Sequence, residues 1–153
     1  MSKKNLIVWA YAIELIAAAL ILLLLALLIG TPAMAAFIRE TANDFATVFS
    51  GVMLAAALAF LWTLYSKSDT DFYQWLESKG AFAVYLHACM YAVAVYALSA
   101  CSLIAIKHVK SLCFMWATSF LLILAVLNLY TLIKNVCDLM RLTAKFQQLT
   151  RHQ

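Results

Sequence analysis

Four long apolar runs, separated by short polar stretches, set the plan of the chain. The first covers Leu6 to Ile29, 24 residues, more than the roughly 20 that a helix needs to cross a bilayer. It stops at Gly30-Thr31-Pro32, which predicts a C-terminal Gly, then Thr as N-cap and Pro in the first turn of a new helix. That helix is expected to begin as an interfacial stretch carrying Phe37, Ile38, Arg39 and Glu40, entering the membrane near Phe45 and leaving near Tyr65. The pattern predicts a third span over residues 81–106 and a fourth over 112–133, joined by a basic turn with Lys107, His108 and Lys110.

The connection over residues 66–80 is polar with one apolar edge, Phe72, Tyr73, Trp75 and Leu76, and is expected to lie on the membrane surface. After the fourth span the helical period continues. Leu139, Leu142, Phe146 and Leu149 stand at i, i+3, i+7 and i+10 with Lys134, Asp138, Arg141 and Lys145 around them, an amphipathic helix over the tail 134–153. Its apolar stripe would rest on lipid or on neighbouring copies, or else, with Trp75 of the loop, form a dock for a soluble partner.

Composition turns this pattern into a class. The chain is 67% hydrophobic and 12% charged, against about 25% charged in soluble domains. One Pro and three Gly in 153 residues leave too few turns for a β-barrel. The expectation is an all-α membrane protein, a single membrane domain over residues 1–153 with four transmembrane helices. The first run is too long for a secretory signal, whose apolar region covers about 7 to 15 residues. With the N-terminus inside, Lys3, Lys4, Lys67, Lys79, Lys134, Arg141, Lys145 and Arg151 lie on the inner side, and Arg39, Lys107 and Lys110 outside. That bias predicts both termini in the cytoplasm, and so a cytoplasmic amphipathic tail helix, in a cell inner membrane. Trp9, Trp62, Tyr65, Trp75 and Trp116 stand near predicted edges, where aromatic belts form.

Glu14 is the most informative residue. A carboxylate within a span must face the bundle interior, pair, or stay protonated. Counted from the cytoplasmic edges at 1.5 Å per residue, Glu14 lies about 12 Å deep, with His87 and Asn128 about 9 Å deep. Asn128, Thr131, Asn135 and Asp138 follow at i, i+3, i+7 and i+10, a polar stripe from that level to the inner edge. The expected intramembrane polar layer is therefore Glu14, His87, Asn128 and Thr131. It suits a half-channel with a titratable Glu14–His87 pair, and equally a bundle held by interhelical hydrogen bonds. The outer half offers mainly Leu, Ala and Val with Ser50, Ser99, Ser102 and Ser119, so an ion would need a gate.

Other classes are disfavoured. No G-x-S-x-G, H-E-x-x-H, phosphate loop or C-x-x-C occurs, which argues against an enzyme, a metal site or a cofactor. Cys89, Cys101, Cys113 and Cys137 read as small apolar residues. The net charge of +4 follows from the inner-side bias, so no nucleic-acid partner is expected. Gly51, Ala55 and Ala59, and again Ala88 and Ala92, set small residues four apart, a pattern that lets helices approach closely and points to a homo-oligomer in the lipid bilayer.

Phe49-Ser50-Gly51-Val52-Met53 with Leu58-Ala59-Phe60-Leu61, then a charged loop closing at Gly80, then Tyr96-Ala97-Leu98-Ser99, resembles the membrane component of the Rex phage-exclusion system. The plan of four spans with a short polar tail after Leu129-Tyr130 also looks like the small membrane subunit of Kiwa-type phage-defence systems. The similarity extends loosely over residues 45–150; the Rex-type loop is strongly basic, whereas this one is mixed. The resemblance implies an inner-membrane protein that senses infection, permeabilises the membrane or recruits a cytoplasmic effector. Three functions follow as expectations: a sensor and scaffold for a cytoplasmic protein bound at loop 66–80 and tail 134–153, a gated ion-permeable effector, or a small subunit of a transport, secretion or conjugation apparatus.

Overall fold

A computed structural model describes residues 3–151, with side chains from Tyr11 to Thr150; Trp9 and the charges at the two chain ends fall outside those described side chains. All elements among the described residues are helical: α1 (Lys3–Ile29), α2 (Thr31–Asp44), a π-helical segment (Phe45–Gly51), α3 (Val52–Ser66), α4 (Asp71–Ser78), α5 (Phe82–Ala105) and α6 (Leu112–Arg151). Four helical stretches are long and apolar enough to cross a membrane, 11–29, 31–66, 82–105 and 112–150.

The chain reverses at Gly30, whose φ of 84° lies in the region open to glycine without strain. Thr31 was expected to cap the next helix, but Gly30 occupies the N-cap position and no side chain caps it. Pro32 sits in the first turn, where its missing N–H is harmless. From there one continuous helical path runs to Ser66, as the sequence predicts for a helix that begins at Pro32. The reason is packing: Met34, Ile38, Ala42 and Ala46 recur every four residues and join Leu103, Ile106, Met115, Leu122 and Leu22 in one buried cluster. Arg39, Glu40, Asn43 and Asp44 are exposed around them.

Helix α1 packs on α6, α6 on α5, and α5 on the π segment and α3. A second cluster, built on Ala18, Ala57, Ala92, Val95, Tyr96, Leu124 and Ala125, fills the middle. Alanines there let the backbones approach: the Cys89 thiol donates to the Ala57 carbonyl at 3.3 Å. Gly51, Ala55 and Ala59 show a different face, with Ala55 and Ala59 exposed. Away from the charged face of α2 the outer surface is largely apolar; on α1 alone Leu20, Leu23, Leu24, Leu27 and Leu28 are exposed, a surface suited to lipid rather than water.

Helix α6 continues without a break to Arg151. At 1.5 Å per residue it is about 60 Å long, twice the roughly 30 Å hydrocarbon thickness. The connection over 66–80 folds as α4, and its apolar edge does not wait for a membrane surface. Phe72, Tyr73 and Leu76 are buried with Leu64, Cys89 and Leu139. A sequence stripe cannot distinguish lipid from a neighbouring helix, and here the neighbour is within reach.

Candidate functional site

Glu14 sits on the face of α1 that carries Ala18, which is fully buried. The small residue one turn away brings α1 close to α6 and sets the carboxylate against it. Thr131 donates its hydroxyl to Glu14 Oε1 at 2.5 Å, and Asn128 Nδ2 donates to Oε2 at 3.4 Å. The first bond is short; the second lies beyond the usual 2.7–3.2 Å.

Tyrosines complete the surroundings. One turn before Glu14, Tyr11 packs its ring on Tyr91 of α5, with centroids 4.4 Å apart and planes at 38°. Among the described residues three buried side-chain polar atoms have no hydrogen-bond partner: the Tyr91 and Tyr96 hydroxyls and Asn128 Oδ1. Tyr96 is 0% exposed and Asn128 2%. Each such atom costs about 1–3 kcal/mol if left alone.

Of the four residues expected in the polar layer, Glu14, Asn128 and Thr131 come together and His87 does not. His87 is exposed, and its Nδ1–H donates to the Ala83 carbonyl one turn back at 2.6 Å. Depth along a helix placed it at the right level, but its direction around the axis turns it outward; Tyr91, one turn on, is the α5 residue beside the site. The lower members of the polar stripe do not reach Glu14 either. Asp138 faces Arg141 on its own helix at 3.7 Å, an exposed pair of little energetic weight.

The five residues expected to dock a partner divide. Leu139 is buried against α4, with Leu142, Phe146 and Trp75 packed around the same cluster. The Phe146 ring lies 5.7 Å from Phe72 and 5.6 Å from Trp75. Leu149 is left exposed. Thus the tail's stripe is largely covered by the chain's own loop. Burial pushes the Tyr73 hydroxyl of α4 above its ordinary value.

At the opposite end, the end of Gly30, hydroxyls are also buried but serve their own helices. Thr118 donates to the Phe114 carbonyl at 2.9 Å, Ser119 to Met115 at 2.8 Å and Ser102 to Ser99 at 3.0 Å. Among the described residues of that end, the Ser50–Ser99 hydroxyl pair alone crosses between helices, at 3.1 Å. A cavity of about 320 Å³ beside them is lined by apolar side chains of α1, α2 and α6 and by Ser119. Among the described residues no three His, Cys, Asp or Glu side chains gather as metal ligands.

The site has to be read on its own geometry, because no protein-family model matches the chain and no curated protein or solved structure is detectably similar to it.

Proposed function

We propose that the chain is a homo-oligomeric, multi-pass inner-membrane protein with both ends cytoplasmic, acting as a sensor and scaffold for a cytoplasmic effector protein. One observation carries this reading: α6 is unbroken from Leu112 to Arg151, and the same helix holds Asn128 and Thr131 against Glu14 and Leu139 and Phe146 against α4. A change at the carboxylate within the membrane is thereby coupled, through a stiff rod, to a platform outside it. The excess of Lys and Arg on the α4 side supports a cytoplasmic platform, and the exposed Ala55 and Ala59 support contacts between copies. The likeness to phage-exclusion and phage-defence membrane components supports an anti-phage setting. An open ion path has less support, since the hydroxyls of the Gly30 end are bonded to their own helices and little crosses between them.

The test is capture of the cytoplasmic partner from the native host by the tagged full chain. Phe146→Asp removes the ring that joins α6 to α4, and recovery of the partner is expected to fall about tenfold or more, equivalent to ~1.4 kcal/mol of binding, while membrane insertion persists. Undiminished capture by an inserted Phe146→Asp chain would overturn the platform reading.

A further inference from the structure

We infer that the exposed face of α2 pairs with α2 of a second copy, parallel and around a two-fold axis, with Arg39 of each copy seated against Asp44 of the other. The inference rests on the proposed homo-oligomer, whose interface it names, and not on the scaffold role. Met34, Ile38 and Ala42 bury one side of α2. On the other side Ala33, Ala36, Glu40 and Asn43 are exposed at i, i+3, i+7 and i+10, the a and d spacing of a coiled-coil seam. The small Ala33 and Ala36 let two backbones approach closely.

Charge decides what covers this face. Arg39 and Asp44, both exposed, flank the seam at g and at the following e. They stand about 140° apart around the helix, too far round to meet on one chain, and among the described residues neither makes an ion pair. Glu40 and Asp44 are like charges one turn apart and repel each other. In a parallel pair the g residue of one helix faces the following e of the other, so two Arg39–Asp44 bridges form at once, related by symmetry. The five N–H donors of each guanidinium reach Glu40 of the partner copy as well. An antiparallel pair sets g against g and e against e, arginine on arginine and aspartate on aspartate, and like charges oppose it.

The shape beside Asp44 fits the same group. A hollow of about 310 Å³ is lined by Phe37, Thr41, Asp44, Phe45, Val48 and Phe49. The Thr41 hydroxyl is already given to the Phe37 carbonyl, at 2.8 Å, and Asp44 is the one charged residue of the lining. The rings of Phe37 and Phe45 meet edge to face, with centroids 6.3 Å apart. A carboxylate between aromatic walls suits a guanidinium, which is planar and weakly hydrated, better than an ammonium or an anion. This chain carries such a group on the same helix, at the opposite edge, and a second copy in parallel register brings it to the hollow.

The experiment reads disulfide cross-linking in membranes holding the full chain with Ala36→Cys at the seam and the exposed Cys101, Cys113 and Cys137 changed to Ser. A cross-linked dimer is expected, because the two-fold axis sets both copies of position 36 side by side, within the Cβ spacing of a disulfide. Adding Arg39→Asp should lower the yield about tenfold through like-charge repulsion, and Arg39→Asp together with Asp44→Arg should restore it. A face that is merely solvated predicts no such rescue. The inference is overturned if Ala36→Cys gives no dimer, if Arg39→Asp leaves the yield undiminished, or if the exchanged charges fail to restore it in a chain that still inserts. Ala59→Cys separates these failures from failure of the homo-oligomer itself. Cross-linking there alone means that copies meet through the alanine face of α3, which overturns the α2 interface and keeps the oligomer; cross-linking at neither position, with a monomer on sedimentation in detergent, overturns both.

Discussion

The two ends of the bundle use the same side chains for opposite purposes. At the Gly30 end, Thr118 and Ser119 are buried, and each hydroxyl bonds the carbonyl one turn back. The polar group is thereby removed from its surroundings and the helix behaves as if apolar. At the α4 end, Thr131 on the same helix turns its hydroxyl outward to a carboxylate of α1. The difference is the partner: where α1 offers Leu22 and Leu25 a hydroxyl has only its own backbone, and where it offers Glu14 the hydroxyl crosses. Threonine content alone therefore says nothing about a polar site in a membrane helix; what faces it does.

This contrast can be broken by parallel substitutions, read by reversible unfolding in mixed micelles. The largest effect is expected just beyond the site, where Leu139→Ala empties the buried contact between α6 and α4 and should cost about 2–5 kcal/mol. Thr131→Val comes next: it keeps the shape but takes the short bond from Glu14, at about 1–3 kcal/mol. Thr118→Val is the matched change at the other end and should cost less than about 0.6 kcal/mol, the mean for hydrogen bonds in membrane bundles. Equal costs for the two threonines would remove the distinction between the ends.

The spans were legible because length and hydropathy are properties of a segment by itself, and a run of 24 residues from Leu6 to Ile29 broken only by Glu14 has few other uses. The gathering of Glu14, Asn128 and Thr131 was within reach for a similar reason: all three are costly within a span, and two share a helix face. Direction about an axis was not. His87 and Tyr91 stand one turn apart on α5, and small rotations decide that Tyr91 meets Tyr11 while His87 faces out. The contact of Tyr91 with Tyr11 was hidden for another reason, since a tyrosine in a span suits an interfacial belt as well as a site. Nor could the stripe on the tail reveal that α4 would cover it. Phe72 and Phe146 are 74 positions apart, and only the antiparallel return of α5 and α6 brings them together.

The π segment between α2 and α3 leaves the second helix with two phases. Above it Met34, Ile38 and Ala42 point into the bundle, and below it Ala57 and Leu64 do. A wider turn holds more residues than an α turn, so the two faces are aligned by the surplus rather than by a single 3.6-residue repeat. Gly51 lies at its end, where a Cβ would stand 3.2 Å from the Ala46 carbonyl. Losing one residue at the exposed Thr47 or Val48 would let that turn return to ordinary winding with the two faces kept nearly in phase, whereas losing one from α2 itself would turn everything before it by about 100° against α3. The wide turn therefore lets the chain's length change by one residue there without changing which side of α2 meets its neighbours.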